Sequence, residues 1–244
     1  MLDRGLDQAA GLRAMMAPPS LGVLAFPLAE DGQEHWIAQL AQALRALGRR
    51  PVVVDAARGT VASAFGMRLR HDLIDLMQGE HEFEDVAQAT PSGVYVLRAD
   101  RGVEAFVASG APASRLLGSF ARLSHGFDHL LLAMPAQELA CLTDPQDCVP
   151  VISLVAGSPG MVQGYSMVKG LAEGFGYRSF ACVVLGAPSE AQAGAEHARL
   201  AAAAERFLGA EVRLAGSLAT ADAAQLQRVA LSILEMAAAP LMPQ

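Results

Sequence analysis

The sequence predicts a three-layer, doubly wound α/β domain built on a mainly parallel sheet, and three observations predict it. Runs rich in Val and Leu recur without polar alternation, the mark of strands covered on both faces. Segments with helical apolar spacing lie between most of these runs, so strands and helices alternate along the chain. At 244 residues, 52% hydrophobic and 18% charged, the chain can bury one large core. That composition also excludes disorder.

Taken in order, the first element is a short helix over residues 2–16, with Leu2, Leu6, Ala9 and Met16 near one face. Pro18-Pro19 stops it, because a proline disfavours helix at the residue before it. Residues 1–19 therefore stand apart from a single domain over 20–244. That domain opens with a buried-strand run, Leu21 to Phe26, followed by an apolar-periodic helix from Glu34 to Leu47 that ends at Gly48. Pro51 to Val54 reads as a strand with Asp55 at its carboxyl end. Further strands are expected at Val94–Leu97, His129–Met134, Val149–Val155, Phe180–Leu185 and Val212–Ser217. Helices are expected at about 71–78, 113–124, 161–174, 189–208 and 222–237. In such a fold ligands bind at the carboxyl ends of the strands.

Several classes of function are disfavoured at once. A net charge of −7 argues against non-specific nucleic-acid binding, which needs a basic face to displace counterions. The N-terminus lacks the basic and apolar regions of a signal peptide, and no stretch approaches the roughly 20 apolar residues of a membrane span. A cytoplasmic protein is expected. Cys141, Cys148 and Cys182 match no zinc spacing and read as reduced thiols.

The loop after the first strand, Pro27 to Glu34, is the default phosphate cradle of these folds. It holds one glycine, no lysine and three acids, so it is read as no cradle at all. The only lysine in the chain is Lys169. Gly157-Ser158-Pro159-Gly160 approaches a nucleophile elbow but has alanine where the first glycine belongs. The spacing of Gly157, Gly160 and Gly164 does not fit a dinucleotide loop. His125 and His129 are four apart, yet Gly126 and a strand start separate them; His71 and His81 read as surface or capping residues.

Asp7-Gln8-Ala9-Ala10-Gly11-Leu12-Arg13 resembles the DQAxxLR element that opens FlhG (FleN), the MinD/ParA-like regulators of flagellar number. Leu44 to Gly59 is similar to that family's LAxxGKRVLLLDADLG. Phe65 to Met67 with Asp72 to Glu80 resembles its LGL…TLxDVLxGE. Pro91 to Leu97 resembles PGGLxVLP, Phe127 to Met134 resembles YDxIIIDT, Tyr165 to Lys169 resembles AYALIK, and Arg206 to Leu208 matches RFL. The fragments keep the family's order over nearly the whole chain. The resemblance implies a P-loop NTPase-like fold of MinD/ParA type.

The departures from the family concern its nucleotide. Where the family reads GKGGVGKT, this chain reads PLAEDGQE: Leu28 stands for the signature lysine, Gln33 for the phosphate lysine and Glu34 for the Mg²⁺-binding threonine, with Gly32 retained. Of the DAD aspartates Asp55 remains, while Ala57 replaces the one that positions water. Ala133 replaces the aspartate of IIIDT, and Leu185 stands where an asparagine reads adenine. Phosphoryl transfer rests on positioning and charge neutralisation by such groups, so neither ATP binding nor hydrolysis is expected and no cofactor is assigned. ATP with Mg²⁺ on Asp55 belongs to the alternative, a working ATPase with an atypical loop.

The resemblance further implies that Asp7, Gln8, Ala9, Leu12 and Arg13 contact an FlhF-like GTPase, with Gln8 near the partner's nucleotide and Leu12 and Arg13 docking. Flagellar C-ring or regulatory proteins are further partners under this reading. A third reading is a scaffold in another secretion or positioning system, such as cellulose secretion. The C-terminal stretch from Gln225 carries Arg228 as its only cation, so membrane binding through a basic helix is not expected; Leu226, Val229, Ala230, Ile233 and Leu234 suit packing on the domain instead.

Overall fold

The computed structural model describes residues 21–28, 35–123, 126–219 and 222–238. Within them, strands β1 (Gly22–Leu28), β2 (Pro51–Asp55), β3 (Ala87–Ala89), β4 (Tyr95–Arg98) and β5 (His129–Pro135) form one sheet in the order β1-β5-β2-β4-β3. Strands β6 (Val151–Val155), β7 (Ser179–Leu185) and β8 (Glu211–Leu218) form a second ladder in chain order. Every pairing is parallel except β3 with β4, an antiparallel edge pair. The helices are α1 (His35–Ala46), α2 (Thr60–Ala64), α3 (Leu73–Met77), α4 (Phe83–Val86), α5 (Asp100–Ala108), α6 (Ala113–Leu123), α7 (Ala136–Leu142), α8 (Ser158–Phe175), α9 (Glu190–Leu208) and α10 (Ala223–Ala238).

The doubly wound architecture is as the strand pattern predicts, and side-chain parity shows why. Leu24 and Phe26 of β1, Val53 of β2 and Leu131 and Ala133 of β5 enter one core cluster with α1 and α10. The alternate residues Ala25, Val52, Val54, Leu130, Leu132 and Met134 enter another with α5, α6 and α7. With both faces buried, no position along these strands can be polar without a partner, which removes the alternation from the sequence. A third cluster joins β6, β7 and β8 to α8 and α9.

Strands β1 and β6 lie side by side, yet the described residues give them no shared ladder. Side chains close this seam. Trp36, in the first turn of α1, stands edge-on to Phe26 with ring centroids 5.5 Å apart and donates from Nε1 to Ser153 Oγ at 3.0 Å. Valines 149, 151 and 183 share the cluster of Leu24 and Phe26, so one core runs across both ladders.

Some local expectations shift. The helix expected at 71–78 is only Leu73–Met77, because Asp72 accepts the Ile74 N–H at 3.1 Å and Asp75 reciprocates to the Asp72 N–H, a capping box that fixes the start. The strand expected from Val149 starts at Val151. The helix expected from residue 161 starts at Ser158, because Pro159 suits a first turn, where its missing N–H costs nothing. Helices α2, α4, α5 and α7 and strand β3 are additional; α2 and α4 span five and four residues, too short to show a period. Helix α10 packs as expected, burying Leu226, Val229, Ala230 and Ile233. The expected N-terminal helix lies outside the described residues.

Gly160 is buried in α8 because the helix sits on the carbonyl of Val155, only 2.0 Å from where a Cβ would be built. Gly170, in the same helix, has nothing within 4 Å of that position. Gly160→Ala is expected to cost about 1–3 kcal/mol through overpacking. Gly170→Ala should gain about 0.4–1 kcal/mol by restricting the unfolded chain. Urea midpoints of the two variants should therefore move in opposite directions.

Candidate functional site

Parallel register brings the carboxyl ends of β1, β2, β5 and β7 to one edge of the fold. Phe26 and Asp55 are both register partners of Ala133, and Leu28 follows Phe26 by two. Leu185 follows Val183 by two, and Val183 belongs to the same core cluster as Phe26, Val53 and Ala133. Parity thus places Leu28, Asp55, Ala133 and Leu185 on one face, the face covered by α1 and α2. Leu28 and Leu185 are partly buried against that common cluster, and Ala133 is buried in it. Ala57 lies in the turn after β2, its N–H donating to Asp55 Oδ1 at 3.0 Å. Gly32, Gln33 and Glu34, and Asp7, Gln8, Ala9, Leu12 and Arg13, lie outside the described residues.

Asp55 is 0% exposed. Its Oδ2 accepts the Ala62 N–H at 2.8 Å, so the carboxylate grips the turn at Ala57 with one oxygen and α2 with the other. Burial raises its pKa above the ordinary 3.8; the amides of Ala62 and Ala57 oppose the rise and nearby Asp100 adds to it. The β2–α2 turn is completed by Arg58, which at φ 57° is the one non-glycine residue with left-handed backbone among those described. Its N–H donates to Asp100.

An acid–arginine network that the sequence reading did not single out adjoins this turn. Arg98, at the end of β4, donates from Nε to Asp100 Oδ2 at 2.8 Å and lies 3.9 Å from buried Asp72. Asp72 Oδ1 also accepts the Gly102 N–H at 2.8 Å, fastening α3 to α5. Arg101 reaches Asp75 at 3.3 Å. The His71 and His81 rings lie 3.8 Å apart, with His71 Nδ1 3.8 Å from Asp75. Burial, with Glu104 and Asp100 nearby, also raises the pKa of Glu138 in the first turn of α7. Asp72-x-x-Asp75 is a capping pattern visible in the chain, but its pairing with 98–102 is tertiary.

Among the described residues, this edge offers few side-chain donors for Mg·ATP. The side chains of Leu28, Ala133 and Leu185 offer no charge or hydrogen bond, and both oxygens of Asp55 are engaged by backbone amides. The neighbouring acids Asp100, Glu104 and Glu138 would repel a triphosphate. Lys169 lies on α8, 3.9 Å from Glu173. Among the described residues no group of three His, Cys, Asp or Glu is placed to hold a metal ion, and no helix is long and apolar enough to cross a membrane. Cys148 and Cys182 are buried thiols whose pKa burial pushes up to about 12.

Strand order, parallel ladders and helices on both faces define a MinD/ParA-type P-loop NTPase fold. No protein-family model and no curated protein matches the sequence, but solved structures share the fold. The chain is similar to the MinD cell division protein of Aquifex aeolicus, at 14% identity over 87% of this chain and 95% of that one, TM-score 0.59. It is similar to the cell division ATPase MinD of Pyrococcus furiosus, at 16% identity over 89% and 99%, TM-score 0.53. It is also similar to a plasmid partition protein of Borrelia burgdorferi bound to AMPPNP, at 6% identity over 89% and 99%, TM-score 0.56.

Asp55→Ala leaves two amides without their acceptor, that of Ala62 buried, and should cost about 2–4 kcal/mol in urea unfolding. Asp75 is held below its ordinary 3.8, first by the Asp72 N–H and then by Arg101 and the two histidines. Its contribution is therefore present above about pH 4 and lost as pH falls through its lower folded value. Asp55, with a raised pKa, acts in the opposite sense, favouring the fold less as pH rises through its folded value. Melting curves between about pH 3 and 7 should show a shallower acid loss in Asp75→Asn than in the wild type.

Proposed function

We propose that this chain is a non-hydrolysing MinD/FlhG-like regulator that acts through protein contacts in flagellar biogenesis. The observation that carries the reading is the convergence of Leu28, Ala133 and Leu185, beside the retained Asp55, on one face at one edge of the sheet. Unrelated drift would scatter such replacements; their meeting where a nucleotide would sit supports loss of one ligand. Asp55 is retained here in a structural role, closing the β2–α2 turn.

The second half of the proposal rests on the N-terminal resemblance. Residues 3–16 engage an FlhF-type GTPase and stimulate it, with Gln8 at the partner's nucleotide and Leu12 and Arg13 docking, while the α/β body serves as scaffold. A short amphipathic helix suits recognition in a groove of the partner. Dimerisation across two nucleotides has no place in this scheme, so the regulator is constitutive, and C-ring or regulatory proteins are its further contacts.

Calorimetric titration of the full chain with Mg·ATP should give no binding heat. A micromolar dissociation constant would instead establish the working-ATPase alternative. The full chain, or a peptide of residues 1–18, should raise GTP hydrolysis by an FlhF-type GTPase, and Gln8→Ala should abolish the rise. If neither has any effect, the activator role is lost while the nucleotide reading stands.

A further inference from the structure

Helices α3, α5 and α6 leave an apolar cleft of about 440 Å³ between them, lined by Leu76, Met77, Phe106, Leu116 and Phe120. Its volume falls within the roughly 300–1,000 Å³ of pockets that take a small molecule. The positions Leu28, Asp55, Ala133 and Leu185 of the strand edge are not part of its lining.

The packing around the cleft holds it open. Asp72 accepts the Gly102 N–H at 2.8 Å and Arg101 reaches Asp75 at 3.3 Å, so α3 and α5 are pinned together where both begin. The approach there is so close that a Cβ on Gly102 would lie 2.6 Å from the Cβ of Leu73. Gly110, at φ 65°, lies in the turn from α5 into α6. Leu116 and Phe120 then fix α6 to the core cluster on the α5–α7 face. Walls anchored in this way keep the gap between them, because a close-packed interior does not flow to fill a void.

Among the described residues, polar side chains enter the lining only at Ser109, Arg115 and Ser119. Ser109 Oγ donates to Phe106 O at 2.6 Å and Ser119 Oγ to Arg115 O at 2.8 Å, so both hydroxyl protons are spent on helix carbonyls. The exposed Arg115 guanidinium is therefore the one charge of this lining and its strongest donor. A ligand that fills the cleft has to be apolar over most of its surface. It gains most by ending in a group that takes two parallel N–H bonds from a guanidinium, as a carboxylate does.

We infer that the cleft is a binding site for a small amphipathic carboxylate, its alkyl or aryl body against Leu76, Met77, Phe106 and Phe120 and its anionic end on Arg115. A neutral apolar ligand leaves the guanidinium unused, and a cationic one meets like charge. The site involves neither the nucleotide edge nor a partner protein, so it stands apart from the reading of the preceding section.

Decanoate, kept below its micelle-forming concentration, is the probe for the full chain. Calorimetric titration should show saturable binding, with decanol and decyltrimethylammonium each bound about tenfold more weakly or less. Arg115→Gln should weaken decanoate about tenfold and leave decanol unchanged, since only the charge-assisted contact is lost. In methionine-methyl NMR spectra, decanoate should shift the resonance of Met77, which Met77→Leu assigns. No decanoate binding, equal affinity for decanol, or full affinity in Arg115→Gln would each overturn the inference. So would a Met77 resonance that stays in place at saturation, since the probe would then be bound elsewhere. If Arg115→Gln does not fold, the comparison of decanoate with decanol and the Met77 resonance decide the matter in the wild type.

Discussion

The contact between Trp36 and the seam at β1 and β6 joins two ladders that backbone hydrogen bonds leave separate. Phe26 gives the indole an edge to pack on, and Ser153 takes its N–H across to β6. Because Trp36 sits in the first turn of α1, the same contact ties that end of the helix to both ladders. The core on that side, from Leu24 through Val151 to Val183, is continuous only because the seam is closed. An unpaired indole N–H inside it would carry the desolvation cost of a buried donor without return.

That arrangement bears on function. In the P-loop fold the β1–α1 connection is where backbone amides gather around phosphate. Here the described ends of the connection are given over to packing: Pro27 has no N–H to offer, Leu28 turns to the core and Trp36 is buried. On the neighbouring strand Asp55 spends both oxygens on amides of its own turn. Among the described residues, the carboxyl edge at β1 and β2 is thus held by packing and by hydrogen bonds within the β2–α2 turn.

Much of the fold was legible because long elements carry strong periods. The β7 run from Phe180 and helices α9 and α10 emerge within a residue or two of their positions, since an apolar run or a three-turn amphipathic pattern has few alternatives. Helices α2 and α4 and strand β3 were not legible. At three to five residues they hold no period, and they exist because Asp55, a capping box or a neighbouring strand holds them. The candidate site divides the same way: identities such as Leu28 and Ala133 are read directly from the chain, whereas the Asp72–Arg98–Asp100–Arg101 network depends on segments some thirty residues apart meeting at strand ends.

The sequence by itself determined the α/β class, the number of long strands, the burial of α10 and the absence of lysine from the loop after β1, because composition and local periodicity carry them. Only the tertiary structure decided that Leu28, Asp55, Ala133 and Leu185 share one face, that Asp55 closes a turn with both oxygens, and that α3, α5 and α6 stand apart far enough to leave a cleft. These are properties of register and of packing between distant segments. A residue's neighbours across a sheet are set by the pairing of strands, and no local pattern in either strand specifies that pairing alone.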